Sequence, residues 1–140
     1  MASAAVLYTP ELLGLATSLA DWRLDDALPL RGSARSKSCG STLELGLALD
    51  GAGRVERVGV KASACAVGQA AAAIFAQAAE GRNGAEILSA RNQLVSWLGD
   101  GGPAPDWPGI AVLAPARDYP ARHGAILLAW NAASDLLSIA

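Results

Sequence analysis

The chain has 140 residues, 52% of them hydrophobic and 17% charged, with a formal net charge of -2. That length is one domain's worth and can bury a real core, and the composition excludes a disordered chain. The mild acidity gives no electrostatic basis for binding nucleic acid or an anionic membrane, and no stretch is apolar for long enough to span a bilayer. Met1 to Tyr8 lacks a basic segment followed by a long apolar run, so no signal peptide is expected. Two cysteines in a chain read as cytoplasmic are expected to be reduced rather than bridged.

Thr9-Pro10-Glu11 is a helix start, with Thr9 as cap and Pro10 in the first turn. Leu12, Leu13, Ala16, Leu19 and Ala20 follow at helical spacing. Leu24 to Ser38 reads as a loop with room for a short edge strand. It carries Arg31, Arg35 and Lys37 just ahead of Cys39, either as a solvated basic loop or as a field that favours thiolate over thiol. Leu43, Leu45, Leu47 and Leu49 alternate with Glu44, Gly46 and Ala48, which predicts a strand with one buried face. Asp50-Gly51-Ala52-Gly53 is a hairpin turn, and Arg54 to Val60 is the returning strand. Cys65 to Ala79 reads as a buried helix that stops at Gly81. Asn83 caps the next helix, through Leu98, whose apolar stripe is Ile87, Leu88, Leu94, Val95 and Leu98. A loop with three prolines runs from Gly99 to Gly109, a short apolar piece covers Ile110 to Leu113, and a last helix after Pro120 carries Ile126, Leu127, Trp130, Ala133 and Leu137. Strands first and helices after predict a single α+β domain over residues 1–140, with a small antiparallel three-stranded sheet packed against helices.

The cysteines carry the functional signal. Cys39 stands just before the hairpin and Cys65 just after it. A hairpin returns the chain to its start, so the two thiols are expected to be neighbours. Paired thiols suggest a metal or sulfur site, and the bland alternative is two small buried residues. Other patterns are weak. Gly99-Asp100-Gly101-Gly102 follows a helix rather than a strand and is no phosphate loop. Ser63 and His123 lack a nucleophile-elbow context. The tryptophans read as packing residues except Trp107, which lies between prolines and is expected to be exposed and to meet a partner.

Three stretches together resemble the U-type iron-sulfur cluster assembly scaffolds: IscU, SufU and the amino-terminal domain of NifU. Cys39-Gly40-Ser41 falls where that family has Cys-Gly-Asp. Asp50-Gly51-Ala52-Gly53-Arg54-Val55 leading to Ala64-Cys65-Ala66-Val67 is similar to its hairpin and second cysteine. Leu113 to Trp130, with Pro120-Ala121-Arg122 and Leu128-Ala129-Trp130, is similar to the SufU stretch around the third cysteine. The resemblance implies the SufE/NifU-like fold and a scaffold or sulfur acceptor in place of a catalyst. It implies a cysteine desulfurase and apo-acceptor proteins as partners, and an iron-sulfur cluster or zinc as cargo. The family's ligands are three cysteines and an aspartate or histidine, soft donors with one harder and weaker ligand. This chain departs from that set: Ser41 replaces the aspartate, Ala125 the third cysteine, and Gly124 the preceding histidine. Cys39 and Cys65 remain as ligands for iron, zinc or persulfide sulfur. His123 is one position out of place as a third metal ligand, and Asp118 is a further candidate. Two other readings stay open: a zinc-linked sulfurtransferase partner of a desulfurase, and a pseudo-scaffold that keeps the docking surface and has lost the cluster site.

Overall fold

The computed structural model of the chain describes residues 7–37 and 40–139. The first helix, α1, runs Pro10–Ser18, and the Thr9 hydroxyl accepts the Leu12 backbone N–H at 3.1 Å, as its cap position predicts. Three strands follow, β1 (Leu30–Arg35), β2 (Thr42–Leu49) and β3 (Val55–Ser63), antiparallel in the order β1-β2-β3. After the sheet come α2 (Ala66–Ala79), α3 (Gly84–Gly99), a 3-10 stretch over Ile110–Asp118, a short turn at Pro120–Arg122, and α4 (His123–Ile139). The architecture is the α+β arrangement expected from the order of the elements.

The alternation along β2 places Leu43, Leu45 and Leu47 on the inner face, where all three are fully buried against the helices. The β2–β3 turn is closed by Asp50, whose Oδ1 accepts the backbone N–H of Ala52 at 2.9 Å and of Arg54 at 3.0 Å. Gly53 supplies the left-handed residue that the turn requires, at φ +79°. The segment reserved for an edge strand does form one, β1, backed by α4. A Cβ on Gly32 of β1 would lie 2.7 Å from Leu136 Cδ1, so the missing side chain is what lets the helix sit this close.

The outer face of the sheet is covered at one end only. Leu24 and Leu28 lie across it over Gly46 and Gly59, and a Cβ on Gly59 would stand 2.6 Å from the Arg23 carbonyl oxygen. The Val60 backbone N–H donates to the Trp22 carbonyl at 2.8 Å, which fixes this crossing segment along β3.

Helix α2 is the centre of the core, with residues 70–76 all buried. Its run of alanines brings neighbouring elements near. Phe75 stacks on Trp107 at 5.5 Å between ring centroids and meets Trp130 edge-on at 5.4 Å. This corrects the expectation of an exposed Trp107. Its indole is only 3% exposed, its N–H donates to the Ile74 carbonyl at 2.9 Å, and the Arg82 guanidinium lies over its ring. The loop turns at this point, with the Trp107 N–H donating to the Pro105 carbonyl at 2.9 Å and the Ile110 N–H to the Trp107 carbonyl at 3.3 Å, and the ring lies on α2. Helix α3 begins at Asn83, the cap expected there, which forms a capping box with Glu86. Of the apolar stripe expected along it, Ile87, Leu94 and Leu98 are buried, whereas Leu88 and Val95 lie at the edge of the stripe and are exposed. Arg54, from the end of the hairpin turn, reaches the Glu86 carboxylate at 2.9 Å and the Gly81 carbonyl at 2.8 Å, tying the sheet to α3.

Candidate functional site

The strand register brings the two ends of the β2–β3 hairpin together. Thr42 pairs with Ser63, the last residues of the ladder at that end of the sheet. Two residues beyond Ser63, Cys65 occupies the N-cap position of α2 in an extended conformation, with its thiol unbridged and half-buried. On the other side of the ladder, the turn between β1 and β2 is closed by the Ser36 N–H donating to the Ser41 carbonyl at 2.8 Å and the Gly40 N–H donating to the Ser36 carbonyl at 3.0 Å. Gly40 takes the left-handed conformation, φ +71°, that turns the chain into β2. Cys39, the residue before it, lies outside the described residues, and with it the expected closeness of the two thiols.

Between these pieces lies an open depression of about 730 Å³. One wall is Gly40 and Ser41, the floor is Ser63 to Cys65, and the other wall is the chain from Asp118 to Arg122 just before α4. Thus three segments far apart in sequence converge here: the β1–β2 turn, the start of α2 and the start of α4. Ser41, where the resemblance places an aspartate in the family, is 6% exposed and part of the wall. Asp118 is exposed on the opposite wall.

The start of α4 explains the altered positions. Ala125 is buried at 1% exposure and faces the first turn of α2. A Cβ on Gly68 would stand 3.2 Å from Ala125 Cβ and 2.9 Å from Ala64 Cβ, so the two helices meet here through small residues. Position 125, where the resemblance places the family's third cysteine, therefore lies at the contact of α2 with α4 and holds no side-chain donor atom. His123 begins α4, half-buried, and the lining of the depression stops one residue short of it. Its Nε2 is 3.1 Å from the Arg117 carbonyl oxygen. A carbonyl only accepts, so Nε2 carries the proton and Nδ1 is the atom left for a metal. Among the described residues, no group of three His, Cys, Asp or Glu side chains converges to hold a metal ion. The donors that do line the depression are the Cys65 thiol and the Asp118 carboxylate, a soft and a hard ligand.

The basic residues ahead of Cys39 divide. Arg31, at the far end of β1, is bonded to the Asp25 carbonyl and paired with Asp26 at 3.7 Å. Arg35 and Lys37 remain at the Cys39 end of the sheet, both exposed.

No protein-family profile and no curated protein matches this chain. Solved structures do. A nitrogen-fixing NifU-like protein (amino-terminal part) from Brucella abortus is 29% identical, with a TM-score of 0.85, over 96% of this chain and 94% of that one. The resemblance to the U-type scaffold family holds in three dimensions. A protein described as an iron-sulfur cluster assembly scaffold for the SUF system, from Fervidobacterium islandicum AW-1, shares the fold at a TM-score of 0.78 with 19% identity, over 96% of this chain and 99% of that one. The U-type fold accounts for the depression: hairpin, α2 and α4 are placed so that their ends meet at Cys65. Among the described residues, no helix is long and apolar enough to cross a membrane.

Proposed function

We propose that this chain is a scaffold-like protein of iron-sulfur cluster assembly that takes up sulfur from a cysteine desulfurase and holds it, with iron or zinc, through Cys65 and Cys39. The observation that carries this reading is the position of Cys65. Its thiol is free, half-buried and set at the start of α2 in an open depression, on a fold shared with a NifU-like protein and a SUF-system scaffold. Gly40, the residue after Cys39, lines the same depression.

The chemistry asks little of the protein. The Cys65 thiolate attacks the outer sulfur of a donor persulfide, a new S–S bond forms, the donor's own S–S bond breaks, and the donor leaves as thiolate. No net oxidation occurs. The depression is open enough to admit a donor loop, and the positive end of α2 favours the anionic cargo. Asp118 and the two cysteines can supply thiolate and carboxylate ligands to a metal, with no donor at Ala125. Such a site is weaker than one with three thiolates, and sulfur carriage is the part of the scaffold's work that two thiols can perform. An acceptor protein then removes the cargo.

The test is anaerobic incubation with a cysteine desulfurase, cysteine and ferrous iron, followed by assay of protein-bound sulfur and iron. Sulfur bound to wild type and lost in Cys65→Ser supports the proposal. Desulfurase binding with no sulfur or iron taken up would overturn it in favour of a pseudo-scaffold. Accelerated desulfurase turnover that depends on bound zinc would overturn it in favour of a zinc-linked sulfurtransferase.

A further inference from the structure

The chain has eleven Lys and Arg residues, and the fold disposes of most of them. Arg31, Arg54 and Arg57 are in ion pairs. Arg82, Arg117 and Arg122 lie over aromatic rings, and Arg91 is bonded to Asn131 and Asn92. Among the described residues, four cations have no partner: Arg23, Arg35, Lys37 and Lys61. Three of these four stand together. Arg35 is the last residue of β1, Lys37 follows in the β1–β2 turn, and Lys61 lies on β3 two residues before Ser63.

The register explains the cluster. Arg35 pairs with Thr42, which pairs with Ser63, and Ser33 pairs with Glu44, which pairs with Lys61. Side chains one and the same distance along antiparallel strands share a face, so these six project from the outer face of the sheet. Leu24 and Leu28 cover the other end of that face, over Gly46 and Gly59. The end near Cys65 is left as an open depression of about 670 Å³ whose lining includes all six residues. Ser63 lines both this depression and the Cys65 depression, so the two adjoin. Glu44 is the one carboxylate in the lining, against Arg35 and Lys61, and Lys37 follows two residues after Arg35 in the chain. A chain of net charge -2 thus gathers unneutralised positive charge at one place, beside its thiol.

We infer that this open end of the sheet is a docking surface for an acidic segment of the protein that delivers sulfur to Cys65. The inference rests on the reading of Cys65 as a sulfur acceptor. Exposed cations without partners break no existing pair when they meet incoming carboxylates, and their field reaches about 8–10 Å at ordinary salt, far enough to orient a donor over the adjoining depression. The hydroxyls of Ser33, Thr42 and Ser63 offer hydrogen bonds between the charges.

The test uses the full chain, a triple variant Arg35→Gln/Lys37→Gln/Lys61→Gln, and Arg23→Gln as the control for a partnerless cation elsewhere. The first probe is a blocked octapeptide of alternating Asp and Glu, titrated at low salt while amide shifts are followed. Shifts at Thr42, Glu44 and Ser63 that vanish in the triple variant and persist in Arg23→Gln support the inference, as does their loss in high salt. An oligo(dT) strand that displaces the peptide at lower concentration would overturn it in favour of nucleic acid. The second probe is a cysteine desulfurase with cysteine. The KM for this chain as sulfur acceptor should rise about tenfold in the triple variant with kcat unchanged. Wild-type transfer with an unchanged KM in the triple variant would overturn the docking surface and leave the sulfur-accepting role intact. Peptide shifts at the three amides with no sulfur transfer in wild type would support the docking surface while removing the role assigned to Cys65.

Discussion

Replacing Ala125 with cysteine asks whether this site is a U-type site with one ligand missing. The side chain at 125 faces Gly68 in the first turn of α2, where a Cβ would come within 3.2 Å of Ala125 Cβ. The two helices already touch there through small residues, so a sulfur at position 125 must displace a neighbour. Four-ligand zinc sites contribute roughly 10–16 kcal/mol, so one added thiolate is worth about 2.5–4 kcal/mol if the ligands share equally, or about a hundredfold in affinity. Against this stands the cost of enlarging a buried side chain, about 1–3 kcal/mol when the neighbours cannot yield. Ala125→Cys should therefore lower the melting temperature of the metal-free protein by several degrees and bind metal much more tightly. Cobalt titration reads both the affinity, by competition with a chelator, and the thiolate count, by the intensity of the sulfur-to-metal charge-transfer band. An unchanged band and affinity, with the protein still folded, would refute the reading of position 125 as the missing ligand position.

Ser41→Asp restores a carboxylate to a wall position that is 6% exposed. It should destabilise the metal-free protein and raise zinc retention in the chelator competition; equal retention in the two forms would remove Ser41 from the site. Trp107→Ala removes the stack on Phe75 and the bond to the Ile74 carbonyl, and should cost about 3–5 kcal/mol, read as a melting temperature lower by roughly 10 °C or more. A loss under about 1 kcal/mol would contradict the burial of that ring. The Glu86 carboxyl is held below the usual glutamate range by the Asn83 backbone N–H and by Arg54. A group whose folded value is depressed stabilises the protein above its unfolded value, and that contribution is lost as the pH falls through the folded one. The stability gap between wild type and Glu86→Gln should accordingly be full at pH 7 and close as the pH drops below about 4. A gap independent of pH would contradict the capping arrangement.

Much of the fold was legible in the chain because its signals are local. Thr9-Pro10 and Asn83 with Glu86 announce helix starts through their own hydrogen bonds, and the leucine alternation of β2 needs only a buried face. The hairpin turn at Asp50 to Gly53 dictated the register that brings the end of β3 back to the start of β2, and so placed Cys65 beside the β1–β2 turn. What could not be read depended on contacts between distant segments. Trp107 sits in a proline-rich loop, which from sequence alone suggests exposure; only the small residues of α2 and the position of Phe75 make room for it. Gly46 and Gly59 look like weak strand residues until Leu24 and Leu28 are seen to lie on them. Arg35 and Lys61 are 26 positions apart, and nothing short of the strand register shows that they share a depression. The burial of Ala125 against Gly68 likewise follows from the crossing of α2 and α4.

In the proposed role, sulfur arrives at Cys65. After brief anaerobic exposure to a cysteine desulfurase and cysteine, alkylation that preserves persulfides, followed by peptide mass mapping, locates the added sulfur. An extra sulfur is expected on the peptide carrying Cys65, with Cys39→Ser retaining it and Cys65→Ser losing it. Sulfur found only on Cys39, unaffected by Cys65→Ser, would contradict the assignment.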